Sequence, residues 1–201
     1  MSTTRFTSPT GRSYTVRAAR QADAEVVREL VFGVLGEFGL APSHEGIDQD
    51  LYDLEKWYAA RGGCFEVIED NSLAIVGTYG VYPLVSPSVS SDTLSNLADN
   101  DRTGLEKANP TGRAGNGCEL RKMYLAATER GNGLGHVMMN RAIQFAREAG
   151  FTWMELETAA CLKTAIKLYQ SYGFEPMVDA ELSERCDLRM IRRLPSIEVA
   201  D

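Results

Sequence analysis

Apolar positions in the first part of the chain follow two different spacings, one alternating and one helical. Alternation predicts a short strand over 14–17. Helical spacing predicts a first helix, whose apolar face consists of Val27, Leu30, Val31, Val34 and Phe38. A second helix is predicted over about 48–60, and strands over 64–69 and 73–82 are predicted to pair antiparallel across a short turn.

The second part of the chain alternates strands with helices. The pattern predicts a strand, a helix, a strand, a helix and two closing strands, over 119–125, 134–149, 153–157, 163–172, 174–178 and 186–192. The complete order is β-α-α-β-β-β-α-β-α-β-β. This order is typical of an α/β fold with a mixed central sheet of about seven strands.

One break in composition interrupts this pattern. Residues 86–117 are rich in Ser, Asn, Asp, Gly and Pro and poor in large apolar side chains, which predicts a long polar loop. A chain of 201 residues has the length of one domain. We therefore expect residues 1–201 to form a single domain, with flexible ends at 1–12 and 195–201.

Composition narrows the class of protein. Lys and Arg number 21 against 28 Asp and Glu, a net charge of −7, which disfavours nucleic acid and anionic membranes as partners and favours cationic amines. No stretch reaches the roughly 20 apolar residues of a membrane span, and the N-terminus lacks the apolar core of a secretion signal. The four cysteines match neither a zinc spacing nor a disulfide scaffold. A reduced cytoplasmic protein is expected.

The turn over 130–135, Arg-Gly-Asn-Gly-Leu-Gly, joins a predicted strand to a predicted helix. Its backbone amides and the helix N-terminus together form a pocket suited to an anion. Gly131, Gly133 and Gly135 allow close backbone approach, and Arg130 adds a permanent charge whose planar donors match phosphate oxygens. A pyrophosphate is the expected occupant. The alternative is a tight turn that requires glycine for its shape alone.

Two common phosphate-binding motifs are excluded by spacing. A P-loop needs Gly-Lys-Ser/Thr, and this tripeptide is absent from the sequence. A dinucleotide-binding fingerprint needs a glycine three residues after Gly133, where His136 stands. A nucleotide-phosphate binder of either kind is therefore the weakest interpretation of the turn.

The motif that remains is R-x-x-G-x-G on a strand–turn–helix. It is preceded by E-L-R-K-M-Y-L over 119–125 and followed by A-x-x-L-Y-x-x-x-G-F over 165–174. Over about residues 14–194, these motifs and the order of elements resemble the GNAT superfamily of CoA-dependent N-acetyltransferases. One departure is Leu162, where many members carry asparagine.

The resemblance implies how acetyl-CoA, the co-substrate, would bind. The CoA pyrophosphate would lie on the amides of the turn. The fourth predicted strand would splay from the fifth, and pantetheine would pair with its backbone in the gap, where an N–H near Leu125 would polarise the thioester carbonyl. The implied cofactor-binding residues are Met123, Tyr124, Leu125, Arg130, Gly131, Asn132, Gly133, Leu134, Gly135 and His136. No metal is implied.

Two residues are candidates for proton transfer. Tyr169, at the position where the family places a tyrosine, could hand its phenolic proton to the departing CoA thiolate. The alternative is a packing aromatic beside Leu168 and Tyr172. Glu119, eleven residues before Arg130, matches the general base of the histone-acetylating branch, and would take a proton from the acceptor ammonium directly or through a water.

The residues expected near the acceptor also have alternative interpretations. Glu119 is also explained as a strand charge paired with Arg121 or Lys122. His44 lies in a loop where family members often contact the acceptor, and is also explained as an exposed loop residue. Glu37 and Trp57 lie in comparable places and receive no role.

The sequence therefore favours transfer of an acetyl group from acetyl-CoA to a primary amine of a small molecule or peptide, by direct attack. The alternative function is a catalytically degenerate, CoA-binding regulatory module. We expect a monomer or homodimer, and the identity of the acceptor is left open.

Overall fold

The computed structural model describes residues 3–84, 116–178 and 182–195, and these ranges contain eight strands and four α-helices. The strands are β1 (Thr4–Thr7), β2 (Ser13–Ala18), β3 (Cys64–Glu69), β4 (Ile75–Leu84), β5 (Gly117–Leu125), β6 (Trp153–Thr158), β7 (Glu175–Pro176) and β8 (Leu188–Arg193). The α-helices are α1 (Ala24–Glu37), α2 (Leu54–Trp57), α3 (Leu134–Glu148) and α4 (Lys163–Ser171). Short 3-10 turns lie at Gln21–Asp23, Gln49–Tyr52, Ala59–Arg61 and Ala127–Glu129.

The strands form one mixed sheet in the order β1-β2-β3-β4-β5-β6-β8-β7. Strands β5 and β6 pair in parallel, and the other neighbours pair antiparallel. The parallel pair needs a crossover connection, which α3 supplies. The predicted α/β class with a mixed sheet is confirmed.

Helices cover both faces of the sheet. On one face, Val27 and Val31 of α1 pack with Tyr58 and with Phe65 and Val67 of β3. On the other face, Leu134, Met138 and Ala142 of α3 and Tyr169 of α4 pack with Leu120 and the rest of a second buried cluster. Of the predicted apolar face of α1, Val27, Val31 and Val34 are buried, whereas Phe38 is exposed and Leu35 is buried instead.

The prediction of about seven strands is too low by one, because β1 lies inside the segment that was expected to be flexible. Residues Thr4–Thr7 pair with β2, and Phe6 stacks on Tyr14 with 5.6 Å between ring centroids. A four-residue edge strand with a single large apolar side chain has almost no sequence pattern of its own. Its backbone bonds to β2 give it its structure.

The predicted second helix over 48–60 is wrong as a continuous helix. Asp53 interrupts it with φ −145° and ψ 83°, and the Asp53 carboxylate accepts a 2.9 Å hydrogen bond from the Lys56 amide. This carboxylate caps α2 as a new start, since aspartate prefers helix caps to helix interiors. The segment therefore forms a 3-10 turn, the short α2 and another 3-10 turn.

Other expectations fall partly outside the described ranges. Of the predicted polar loop over 86–117, residues 86–115 lie outside, and Gly117 is already the first residue of β5. Residues 196–201 of the expected flexible C-terminus also lie outside. Within the described part of the chain, no helix has the length and apolar character to cross a membrane.

Candidate active site

Strands β5 and β6 pair only at their starts. The parallel ladder joins residues 117–119 to residues 153–155, and Glu119–Glu155 is its last pair. Beyond this pair the strands separate, and a cavity of about 1180 Å³ opens along the rest of β5. The expected splay between the fourth and fifth predicted strands is confirmed.

A β-bulge in β5 marks the point of separation. Lys122 has φ +52°, and the register with β4 shifts between Thr78 and Gly80. The Thr78 hydroxyl donates a 2.8 Å hydrogen bond to the Lys122 carbonyl, which holds a conformation that a lysine rarely adopts. Because bulges bend a strand and increase its twist, β5 turns away from β6 here.

The backbone of Leu125 faces the gap between the strands. The Ala126 amide donates to the Val76 carbonyl of β4, and the Leu125 carbonyl accepts from the Arg130 side chain instead of from β4. In an antiparallel pair, successive residues direct their backbone groups to opposite sides. The Leu125 N–H therefore points away from β4. Met123, Tyr124 and Leu125 all line the cavity.

The glycine-containing turn over 130–135 lies against the same cavity and leads into α3. Gly131 and Gly133 have φ of +79° and +80°, a region that favours glycine. A Cβ on Gly135 would lie 3.0 Å from Leu168 Cδ2, so glycine here lets α3 approach α4 closely. The amides over 131–135 donate no hydrogen bond to any described residue. These donors are therefore available to an anion.

Arg130 has protein partners of its own. Its Nη1 lies 2.7 Å from Glu37 Oε2 at the end of α1, and its Nε and Nη2 donate to the Leu125 carbonyl at 3.2 and 3.0 Å. The guanidinium thus bridges the turn, the end of β5 and α1. The expected contact with phosphate requires this half-exposed side chain to change partners.

His136, next to the turn, and Asn132, within it, lie in different positions relative to the cavity. His136 lines the cavity, and its Nδ1 lies 3.1 Å from the Tyr172 hydroxyl. Asn132 is absent from the cavity wall, and its Oδ1 accepts a 2.8 Å hydrogen bond from Thr10. The Asn132 side chain therefore connects the turn to the N-terminal segment.

Tyr169 lies on α4 at the wall of the cavity and is 7% exposed. Burial raises the pKa of the Tyr169 phenol well above its usual 10, and the nearby Tyr124 phenol adds to the shift. The ring also packs 6.2 Å from Phe174, between centroids. Tyr169 thus has the packing contacts of a core aromatic and a protonated phenol that faces the cavity.

Glu119 lines the cavity at the last rung of the β5–β6 ladder. Its Oε2 accepts hydrogen bonds from Arg121 Nε at 2.8 Å and Nη2 at 2.5 Å. Arg121 lies over the Tyr82 ring, with its guanidinium carbon 4.0 Å from the centroid. The alternative pairing with Arg121 is therefore present, and it coexists with exposure of Glu119 to the cavity.

A buried ionic network lies near the bulge, and the sequence did not predict it. Lys122 Nζ lies 2.7 Å from Asp48 Oδ1 and 3.2 Å from Asp50 Oδ1, and Arg185 Nη1 and Nη2 lie 2.5 and 2.6 Å from Asp48. The two cations keep the pKa of Asp48 far below its usual range, against the opposing effect of burial. Tyr58 donates to Asp50 at 2.6 Å. No local motif indicates this network, because its members are distant in sequence.

The other residues considered near the acceptor, His44, Trp57 and Glu37, lie in different places. His44 is exposed, is absent from the cavity wall, and bonds through Nδ1 to the Tyr52 hydroxyl at 2.7 Å. Trp57 lines the cavity beside α1, and Glu37 pairs with Arg130. The structure therefore favours the description of His44 as a loop residue.

The cysteines lie in different environments. Cys118 is buried, whereas Cys161 is exposed at the cavity wall. Burial raises the pKa of the Cys186 thiol to about 11, so it is a poor nucleophile near neutral pH. Among the described residues, no group of three or more His, Cys, Asp or Glu side chains could hold a metal ion.

Comparison with known proteins agrees with this arrangement. The sequence profile described as "Acetyltransferase (GNAT) family" matches residues 35–174. The Escherichia coli (strain K12) protein named uncharacterized N-acetyltransferase YjgM is 32% identical over 189 residues, which cover 91% of this chain and 96% of that protein. Human N-acetyltransferase 8B is 26% identical over 156 residues, covering 74% of this chain and 58% of that protein.

Solved structures share the fold. A GNAT-family acetyltransferase from Staphylococcus aureus Mu50 superposes with a TM-score of 0.70 at 19% identity, covering 90% of this chain and 99% of that one. A phosphinothricin acetyltransferase from Sinorhizobium meliloti, solved with acetyl-CoA, gives 0.59 at 18% identity, covering 90% and 88%. This chain belongs to the acetyltransferase (GNAT) family and is an acetyl-CoA-dependent acyltransferase.

Proposed function

We propose that this enzyme transfers the acetyl group of acetyl-CoA to a primary amine of a small molecule or peptide, by direct attack of the amine. The gap between β5 and β6 carries this proposal. At one end of the gap lie the amides over 131–135, which have no partner among the described residues, and in its wall lies the N–H of Leu125. Donors for a pyrophosphate and for a thioester carbonyl thus lie along one cavity.

The residues along the cavity fit coenzyme A as a co-substrate. The amides of Gly131 to Gly135, with the N-terminus of α3, would hold the pyrophosphate, flanked by His136 and by Arg130 after it leaves Glu37. The backbone of Met123, Tyr124 and Leu125 would pair with pantetheine. The thioester supplies an acetyl group that is activated for transfer to nitrogen.

Three groups of this chain would handle the charge that develops during transfer. Glu119, directly or through a water, accepts a proton from the acceptor ammonium, which leaves a lone pair on nitrogen to form the new C–N bond. The Leu125 amide stabilises the carbonyl oxygen as it gains negative charge. Tyr169 donates its phenolic proton to the sulfur when the C–S bond breaks, and the second proton that the nitrogen loses as the amide forms restores the phenol. The raised pKa keeps the Tyr169 phenol protonated but also makes it a weaker acid, so this role is supported by its position at the cavity wall.

The charge at the wall of the cavity is mixed, with four carboxylates and six Lys or Arg side chains. Among the carboxylates, Glu45 and Glu119 could receive an ammonium group, and the chain as a whole carries −7. Trp57 adds an aromatic face, a surface that attracts ammonium groups. The amine could belong to a small molecule or to the end of a peptide, and both require the same loss of a proton before attack.

Release of free thiol from acetyl-CoA tests the proposal. The protein is incubated with acetyl-CoA and a panel of primary amines, with a tertiary amine as the unreactive control. We expect amine-dependent thiol release and no release before the amine is added, because direct attack forms no acyl-enzyme. A burst of thiol without amine would contradict direct attack. Binding of acetyl-CoA in a thermal-shift assay without turnover on any amine would favour the CoA-binding regulatory module.

A further inference from the structure

A row of five charged side chains crosses the sheet at the rung where the gap begins. Glu119 and Arg121 of β5, Glu155 and Glu157 of β6, and Arg189 of β8 lie on one face. Residues two apart in a strand share a face, and the ladder pairs Glu119 with Glu155 and Glu157 with Arg189. This charged row contains three carboxylates and two guanidinium groups.

The two guanidinium groups already have carboxylate partners. Arg121 donates twice to Glu119, and Arg189 forms an ion pair with Glu157. Glu155 lies between these pairs and opposite the apolar Ile191 of β8. It is 4% exposed, and its Oε2 is buried without a hydrogen-bond partner among the described residues.

An ionised carboxylate without a partner is unfavourable at this position. Burial raises the pKa of Glu155 to about 7, and the neighbouring Glu119 adds to the shift, against the smaller opposing effects of Arg189 and Arg121. The α1 residues that cover this face, Val27, Val31 and Leu35 among them, supply no compensating charge. A protonated Glu155 leaves the charged row with two negative and two positive groups.

We infer that Glu155 carries a proton in the resting enzyme because the ionised Glu119 beside it opposes loss of that proton, so that the charge of Glu119 controls the ionisation of Glu155. The catalytic consequence rests on the proposed function, in which Glu119 is the base. When Glu119 takes a proton from the acceptor, its negative charge is lost and Arg121 is no longer neutralised. Both changes favour ionisation of Glu155, which then loses its own proton to solvent and restores the charge balance of the row.

Glu155 is a positioning residue in this scheme, since it is absent from the cavity wall and acts through Glu119. Its effect on Glu119 is electrostatic. After Glu119 has taken up a proton, an ionised Glu155 replaces its negative charge beside Arg121. A neutral glutamine at position 155 cannot supply this charge.

Titration of the glutamate carboxyl carbons by NMR tests the coupling without any measurement of activity. The wild type, Glu155→Gln, Glu119→Gln and the exposed control Glu25→Gln are compared in carbon-13-labelled protein. We expect one wild-type carboxyl to titrate near pH 7, to be absent in Glu155→Gln, and to move to lower pH in Glu119→Gln. A wild-type protein whose glutamates all titrate in the ordinary range would overturn the inference, as would a signal that Glu119→Gln leaves in place.

The pH dependence of kcat/KM separates this inference from the proposed function. In Glu155→Gln, kcat/KM should fall and should lose the change near pH 7 that ionisation of Glu155 produces in the wild type, while the Tm stays near that of the wild type. A pH profile of Glu155→Gln that matches the wild type would contradict this role. If Glu119→Gln retains the full kcat while the NMR coupling is present, the base assignment of the proposed function fails and the coupled pair stands.

Discussion

Arg12 and Glu129 form an ion pair, with Arg12 Nη1 2.8 Å from Glu129 Oε1. Arg12 lies in the turn between β1 and β2, and Glu129 lies in the 3-10 turn that precedes the glycines. Tyr14 donates to the other Glu129 oxygen at 2.5 Å, and Thr10 donates to Asn132 at 2.8 Å. The N-terminal hairpin thus supports the turn that is proposed to bind pyrophosphate.

Glu129→Ala should weaken this support. The substitution leaves the buried Tyr14 hydroxyl without its acceptor, so the free energy of unfolding should fall by about 1–3 kcal/mol. Because the following turn loses its connection to β2, KM for acetyl-CoA should rise more than kcat falls. Steady-state kinetics and urea unfolding measure both effects. Glu148→Ala, an exposed change on α3, is the control, and an unchanged KM in Glu129→Ala would contradict the supporting role.

Gly133→Ala should reduce acetyl-CoA affinity through the backbone alone. Gly133 and Gly150 both have φ +80°, and alanine in this region costs about 1–2 kcal/mol. Gly150 follows α3 at its far end, and a Cβ added there would meet no atom within 4 Å. Gly150→Ala is therefore the control, since it introduces the same backbone strain away from the turn. Isothermal titration with acetyl-CoA should show weaker binding only in Gly133→Ala. Equal affinities of the two variants for acetyl-CoA would show that the turn does not contribute to binding.

Tyr169→Phe should lower kcat by about 10²- to 10⁴-fold, the usual contribution of a proton donor. Affinity for acetyl-CoA should change little, because the ring and its packing against Phe174 remain. Tyr52→Phe is the control, since that phenol is exposed and bonds to His44. Full activity in Tyr169→Phe would leave Tyr169 as a packing residue.

Acid should destabilise the protein through Asp48. The pKa of Asp48 is lowered in the folded state by Arg185 and Lys122, relative to an ordinary value of 3.8. A carboxyl with a depressed folded-state pKa stabilises the fold above its unfolded pKa, and that contribution is lost as the pH falls below about 4. Asp48 should therefore contribute to acid unfolding in this window.

Asp48→Asn tests this expectation. Removing one member of a buried ionic group should lower the free energy of unfolding at neutral pH by about 3–5 kcal/mol. The variant should also lose less stability than the wild type on acidification, because it no longer gains a proton at this position. Urea unfolding as a function of pH measures both, with Glu25→Gln as the exposed control. Parallel stability curves for wild type and Asp48→Asn would refute the assignment.

Local patterns account for much of the fold and for the position of the cavity. Most of the apolar positions that predicted α1 lie on its buried face, because a helix that covers a sheet must present one apolar side. Gly131 and Gly133, expected to allow close backbone approach, adopt the left-handed backbone that favours glycine, which needs no distant partner. The catalytic roles of Tyr169 and Glu119 remain predictions.

The sequence-based predictions missed a local helix cap at Asp53, and they failed where distant residues decide the conformation. Strand β1 depends on pairing with β2, and Asp53 ends one helical turn and caps the next within a segment whose apolar spacing predicted a continuous helix. Arg130 is aligned for phosphate by its position in the motif, yet it bonds to Glu37 of α1. No spacing along the chain predicts that contact.

The sequence by itself determined the order of strands β2 to β8 and of helices α1, α3 and α4, and the place of the glycine turn, since each follows from side-chain periodicity or backbone freedom within a few residues. The tertiary structure alone decided which charges meet. Lys122 and Arg185 converge on Asp48, and Glu155 lies buried beside Glu119, because folding brings charges from separate strands and loops into one poorly solvated layer. Electrostatic energy there depends on distance in space and on burial, and the linear sequence encodes neither directly.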